Sequence, residues 1–164
     1  MFPRESPGRG QESVWDYPRP PRLEKVSDVI KVELFGRVVV ECRKGFRLLE
    51  TSHPPTYYVP FSEVWEGLLQ PSATASTLCE FKGWAQYWDA VQGSEIRGAV
   101  AWSYPDPRPD YAALRGCVAF YPSRVEACYL NGERVVPQEG DFYGGWITAR
   151  LVGPFKGGPG TRGW

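Results

Sequence analysis

The chain has 164 residues, 19 basic and 19 acidic side chains and one histidine, a length suited to a single domain that buries roughly two thirds of its unfolded surface. Zero formal charge leaves out the basic excess with which proteins meet nucleic-acid phosphates, and no apolar run approaches the ~20 residues of a membrane span. Aromatic residues make up 15% of the chain, beside 18 glycines and 16 prolines; aromatics suit pleated, half-buried surfaces and the breakers leave little room for long helices, so the expected fold class is all-β.

Residues 1–25 read as an extended arm rich in proline and charge, in which Val14, Trp15 and Tyr17 are the side chains able to dock it on a body. Its first ten residues are polar and lack the apolar stretch of a secretory signal, which makes the cytoplasm the expected location. There Cys42, Cys79, Cys117 and Cys128 stay reduced. Cys42, Cys117 and Cys128 fall on apolar steps of strand-like runs and read as inert core thiols, whereas Cys79 lies beside Glu80 and near Lys82.

Residues 26–140 form the body, and from Val29 onward the period is two. Ile30, Val32 and Leu34 alternate with Lys31 and Glu33, and Val38, Val40 and Cys42 follow after Phe35-Gly36, the turn of a predicted hairpin. A third strand over 46–50 runs into Thr51-Ser52-His53-Pro54-Pro55, a rigid turn, and 56–59 is a fourth. Residues 62–69 carry the signals of one or two helical turns, with Ser62 as the cap. A strand-like stretch over 77–91 is broken near Gly83, the stretches 95–104, 118–121 and 125–130 continue the pattern, and 109–115 offers a second short helix stopped by Gly116. Asn131-Gly132 is the strongest turn signal, between Cys128-Tyr129-Leu130 and Arg134-Val135-Val136. Residues 141–164 form a tail expected to pack on the body. Strands recurring every eight to twelve residues or so, each closed by Gly or Pro, predict curved antiparallel sheets with one or two short helical turns.

Few motifs carry chemistry. Gly158-Pro159-Gly160-Thr161-Arg162-Gly163 matches G-x-G-x-x-G, but that motif binds a pyrophosphate only between a strand and a helix, and only Trp164 follows it here. A backbone anion nest in this tail stays open, as does an anion site made by Arg150, Lys156 and Arg162, which follow Asp141 with no acid among them. The cysteines form no C-x-x-C pair and there is one histidine, so neither a structural zinc nor any other cofactor is expected. His53 precedes two prolines, which fix its backbone and the direction of its ring; that suits a positioned acid/base and equally a turn residue. Lys82 lies between Phe81 and Gly83-Trp84, where an apolar surround can make it an anion anchor or a nucleophile; an ion pair with Glu80 or Asp89 is the alternative. Trp102 and Tyr104 share parity on one strand and face one way, as a pocket wall or as core.

Several longer words then stand together: Glu50-Thr51-Ser52-His53-Pro54-Pro55-Thr56-Tyr57-Tyr58, Cys79-Glu80-Phe81-Lys82-Gly83, Ala101-Trp102-Ser103-Tyr104-Pro105 and Val118-Ala119-Phe120-Tyr121. They resemble the domain of unknown function 427 family, a bacterial group also labelled nucleotidyltransferase-like. The flanks Glu12–Pro18, Asp141–Thr148 and Pro154–Gly157 resemble its longer form with both tails. The resemblance implies a tent-like arrangement of curved β-sheets, similar to methionine sulfoxide reductase B and the thalidomide-binding domain. Many relatives of that fold hold zinc through paired C-x-x-C motifs, which this sequence lacks.

The reading these observations favour is a small-ligand-binding domain with an aromatic pocket, its enzyme activity left open. Glu50, His53, Tyr58, Lys82, Trp102 and Tyr104 are placed around the pocket, with Trp15, Trp146 and Lys156 brought to it by arm and tail. Lys82, His53 and Glu50 are the catalytic candidates: Lys82 to hold an anionic or carbonyl group, Glu50 to accept hydrogen bonds, His53 or Lys82 to move a proton. The alternatives are a protein-interaction module that uses the proline-rich arm and a nucleotidyltransferase-like enzyme. The expected partner is a small molecule, with neither nucleic acid nor membrane.

Overall fold

The structure, a computed structural model, describes residues 3–140 and 142–164, so Asp141, where the tail was set to begin, lies outside it. The chain starts with β1 (Glu12–Ser13), a 3₁₀ turn at Val14–Asp16 and β2 (Arg22–Lys25). Ser13 caps that turn, its Oγ accepting from the Trp15 amide at 3.2 Å. β3 (Ile30–Leu34) and β4 (Arg37–Cys42) form the first hairpin, with Phe35 and Gly36 both left-handed, φ 54° and 71°, as a type I′ turn requires. Next come β5 (Phe46–Leu49), β6 (Thr56–Pro60), β7 (Leu69–Pro71), β8 (Thr77–Cys79), β9 (Gly83–Gln92), β10 (Glu95–Ser103) and β11 (Cys117–Phe120). β12 (Ala127–Leu130) turns at Asn131-Gly132 into β13 (Glu133–Arg134), and β14 (Val136–Pro137), β15 (Trp146–Ile147) and β16 (Leu151–Val152) follow.

The main sheet has the order β2-β5-β6-β11-β10-β9-β7, with β8 added to β9, and a second sheet has the order β13-β12-β3-β4. Every pair in both is antiparallel. The fold is therefore mostly β, in several sheets. Alternation decides what each face does. Tyr57 and Val59 of β6, with Val118 and Phe120 of β11, pack against Ile30, Val32 and Leu34 of the second sheet. Tyr58, Ala119, Tyr121, Trp102 and Tyr104 turn to the other face. Both faces of the main sheet are thus apolar, and the second carries most of the tyrosines.

Four local features refine the expectation or differ from it. All helical structure among the described residues is 3₁₀, in four pieces rather than one or two, the others being Phe61–Glu63, Pro109–Leu114 and Pro122–Arg124. Ser62 lies inside its turn and does not cap it; Pro60 holds the cap position and has no side-chain bond to offer. The stretch 77–91 is the hairpin β8–β9, in register Thr77↔Ala85 and Cys79↔Gly83, and its turn carries Glu80, Phe81 and Lys82. Finally, β1 and β16 pair in parallel, because arm and tail meet along an edge without a hairpin between them.

That junction is dense. Val14, Tyr17, Leu49 and Leu151 form a small core beneath it. The Trp15 indole donates to the Pro154 carbonyl at 2.8 Å, and the Gly153 amide donates to Glu5 at 3.0 Å. Arg47 reaches up from β5 to ion-pair with Glu12 and Glu24, and burial with the Glu12 bond pushes the Tyr17 hydroxyl well above its ordinary value. Cys42, Cys117 and Cys128 are buried, and desolvation raises each thiol, so they are inert core groups. No helix among the described residues is long and apolar enough to cross a membrane.

Candidate functional site

The tyrosine-rich face of the main sheet is only partly covered. Between it, the β8–β9 turn and the tail lies a cavity of about 300 Å³, the lower end of small-ligand sites. Its walls take Glu50 and His53 from the β5–β6 connection, Thr56 from the start of β6, Cys79 and Lys82 from the β8–β9 hairpin, Trp102 from β10 and Tyr104 from just past its end. Tyr121 follows β11, while Gln138, Tyr143 and Lys156 come from the last quarter of the chain.

Of the nine residues assigned from sequence, six line this cavity: Glu50, His53, Lys82, Trp102, Tyr104 and Lys156. Tyr58 is sealed behind Trp102, whose indole donates to its hydroxyl at 3.3 Å. Trp146 is elsewhere. It is 1% exposed in the core between the sheets, tilted against Tyr57 at 5.1 Å and donating to the Phe120 carbonyl at 3.2 Å. Trp15 also misses the cavity and instead holds the tail that delivers Lys156.

The wall is built by close approach. Trp102 is 5% exposed, 4.5 Å from the Tyr121 ring, and its far side lies directly under the backbone of Gly144, where an added Cβ would sit 2.6 Å from the indole. Lys82 is held by its own turn, whose carbonyl accepts from the Arg108 amide at 3.0 Å. Its ammonium rests on the Tyr104 ring, 5.4 Å from the centroid. Neither Glu80 nor Asp89 pairs with it. Asp89 accepts from the Ala99 amide at 2.7 Å instead, pinning a bulge in β10. Lys156 lies over the Tyr143 ring at 5.3 Å and donates to the Trp164 carbonyl at 3.3 Å. Two amides of the tail segment in which a backbone nest was open are engaged within the chain, Gly157 by Thr161 and Lys156 by the Ser52 carbonyl.

Glu50 and His53 sit on one tight turn, the His53 amide donating to the Glu50 carbonyl at 3.0 Å. One carboxylate oxygen, Oε2, takes both neighbours: Arg19 of the arm at 3.3 Å and His53 Nε2 at 3.6 Å. Burial, then Lys156, Arg19 and Lys82, push the imidazole down to about 3, so it is neutral at pH 7. The unfolded chain takes up this proton near 6.5, the ordinary value, and the folded chain does not. Stability should therefore fall as pH drops from 6.5 towards 3, by about 1.4 kcal/mol per pH unit from this one group. Urea midpoints between pH 7 and pH 4 should show the loss, with a shallower slope in His53→Gln; identical slopes would contradict the assignment.

Sequence reasoning missed Gln138, Tyr121 and Tyr143. Gln138 stands between Pro137 and Glu139, both exposed, yet is itself 4% exposed; only the folding back of the tail buries it. Cys79, beside Glu80 in sequence, lines the wall half-buried. Among the described residues no group of three or more His, Cys, Asp or Glu is placed to hold a metal ion.

Residues 22–131, more than half of the chain, match the family model described as a domain of unknown function (DUF427). No curated protein matches the chain.

Proposed function

The chain belongs to the DUF427 family, described only as a domain of unknown function, and from that premise we propose that it is a small-ligand-binding domain whose ligand occupies the aromatic cavity. The observation that carries the reading is Lys82. Among the described residues it has no carboxylate partner, only the face of Tyr104, inside a cavity walled by aromatic rings. An ammonium that faces an aromatic cavity with no carboxylate beside it is open to an anionic group on a ligand. Lys156 adds a second cation and Trp102 a flat surface. Glu50 supplies the opposite polarity: its Oε2 is engaged, leaving Oε1 to accept from a ligand hydroxyl or amine. The ligand class is accordingly a small planar acid that also carries a hydrogen-bond donor. The arm that an interaction module would present to a partner is engaged with the tail in the β1–β16 pair, which favours the cavity over that alternative.

The test uses three aromatic acids as probes, 4-hydroxyphenylacetate, phenylacetate and indole-3-acetate, read by ligand-observed NMR on the full chain. At least one is expected to bind, its methyl ester more weakly, and Lys82→Ala should weaken binding tenfold or more while leaving the thermal midpoint within a few degrees. Equal binding of acid and ester, or unchanged binding by Lys82→Ala, would overturn the reading. So would failure of all three acids together with the absence of any small molecule in native mass spectra of freshly purified protein.

A further inference from the structure

The hydrogen bonds around Gln138 settle a question about His53 that distances to Glu50 alone leave open. Which amide atom of Gln138 points where is fixed by its two backbone partners. The Gly145 N–H, a donor, lies 3.1 Å from one atom, which must be Oε1; the Lys156 carbonyl, an acceptor, lies 2.7 Å from the other, which must be Nε2. Gly145 has to be glycine for this contact, since a Cβ there would collide with Gln138 Oε1 and with Pro54. The Nε2 amine has two hydrogens. One serves Lys156, and the second faces His53 Nδ1 at 3.4 Å. A nitrogen facing a donor must be the acceptor, so Nδ1 carries no proton and the proton of a neutral ring is on Nε2, where Glu50 Oε2 lies 3.6 Å away.

We infer that Gln138 is a positioning residue that holds His53 as the neutral Nε2–H tautomer, turning its proton to Glu50 and closing the ring as a base towards the cavity. The other groups facing the ring agree with this. Burial comes first, and then Lys156 from the tail, Arg19 from the arm and Lys82 from the β8–β9 turn oppose a positive imidazole, so that the ring is held down to about 3 although the Glu50 carboxylate lies beside it. Tyr143 packs edge-on against the ring at 4.8 Å. The proton acceptor left open to a ligand is then Glu50, and His53 becomes the strut that orients its carboxylate. The tautomer follows from the geometry alone; only this last use of it rests on the cavity being a ligand site.

A single histidine makes the test direct. Long-range proton–nitrogen correlation of the ¹⁵N-labelled full chain is expected to show one imidazole, in the Nε2–H form, that does not titrate between pH 5 and pH 8. Gln138→Glu places a carboxylate oxygen where the amide donor was, so the proton should move to Nδ1, or the ring should become doubly protonated within that range. Gln138→Met, which removes the donor without adding an acceptor, should give a mixture of tautomers. A wild-type ring in the Nδ1–H form, or charged at pH 7, would overturn the inference. So would a folded Gln138→Glu or Gln138→Met chain that keeps the wild-type signature; if the Glu variant does not fold, the wild-type spectrum and the Met variant decide. None of these outcomes touches Lys82, so a failed tautomer leaves the acid-binding test standing, and the reverse holds too.

Discussion

Trp146→Ala is expected to destabilise the fold by about 3–5 kcal/mol, the usual range for removing a large aromatic from a packed interior. The indole is 1% exposed between the two sheets and packs on Tyr57, and its N–H donates to the Phe120 carbonyl. Truncation leaves a hole that rigid β-strands on both sides cannot close, and it leaves that carbonyl without its donor. Against a total of about 5–15 kcal/mol for a natural domain, the loss is roughly a fifth or more. Urea unfolding followed by tyrosine and tryptophan fluorescence would measure it. A cost below 1 kcal/mol would mean that Trp146 is peripheral and lies where it was first placed, at the rim of the pocket.

Gly157→Ala is expected to release the tail at a cost of about 3 kcal/mol, combining a strained backbone with an overpacked contact. Gly157 has φ +131°, which side-chain-bearing residues avoid, and its new Cβ would overlap the Glu139 carbonyl oxygen. That oxygen belongs to backbone and cannot swing aside. The neighbouring Lys156 amide donates to Ser52 at 2.8 Å, so its hydrogen exchange should accelerate strongly, by about a hundredfold for that cost. Gly163→Ala is the matched control. Nothing lies within 4 Å of a Cβ at that position and its φ is not positive, so stability should stay within about 0.5 kcal/mol. Equal behaviour of the two variants would show that the tail is not clamped at Gly157.

These two sites also mark what the sequence could and could not say. Hairpins at Phe35-Gly36 and Asn131-Gly132 were legible because a turn that needs left-handed residues advertises them locally. The parity of Trp102 and Tyr104 was legible because period two survives to the end of β10. Glu50, His53 and Lys82 could be grouped because each sits at a break between strands, where side chains from distant segments converge. Depth was not legible. Tyr57 and Tyr58 are adjacent and look equivalent, yet one faces the second sheet and the other backs Trp102. Nor was the fate of Trp146 or Gln138, because both are buried by segments that come from elsewhere in the chain rather than by anything near them in sequence. The β8–β9 turn was read as an interruption because Glu80, Phe81 and Lys82 carry no turn chemistry, and Gly83 alone admits the bend.

The parallel pairing of β1 with β16 has a consequence for how the protein is made. Glu50, His53, Lys82 and Trp102 leave the ribosome well before Lys156, and the strand that precedes Lys156 pairs with Glu12–Ser13 at the other end of the chain. Local hairpins can close as they emerge, but this long-range closure must wait for late residues. A nascent chain therefore passes through a stage in which the aromatic wall of Trp102 and Tyr121 exists without Gly144 to cover it. During synthesis that open wall is apolar surface that the tail has yet to cover, and so a surface on which association between incomplete chains would act.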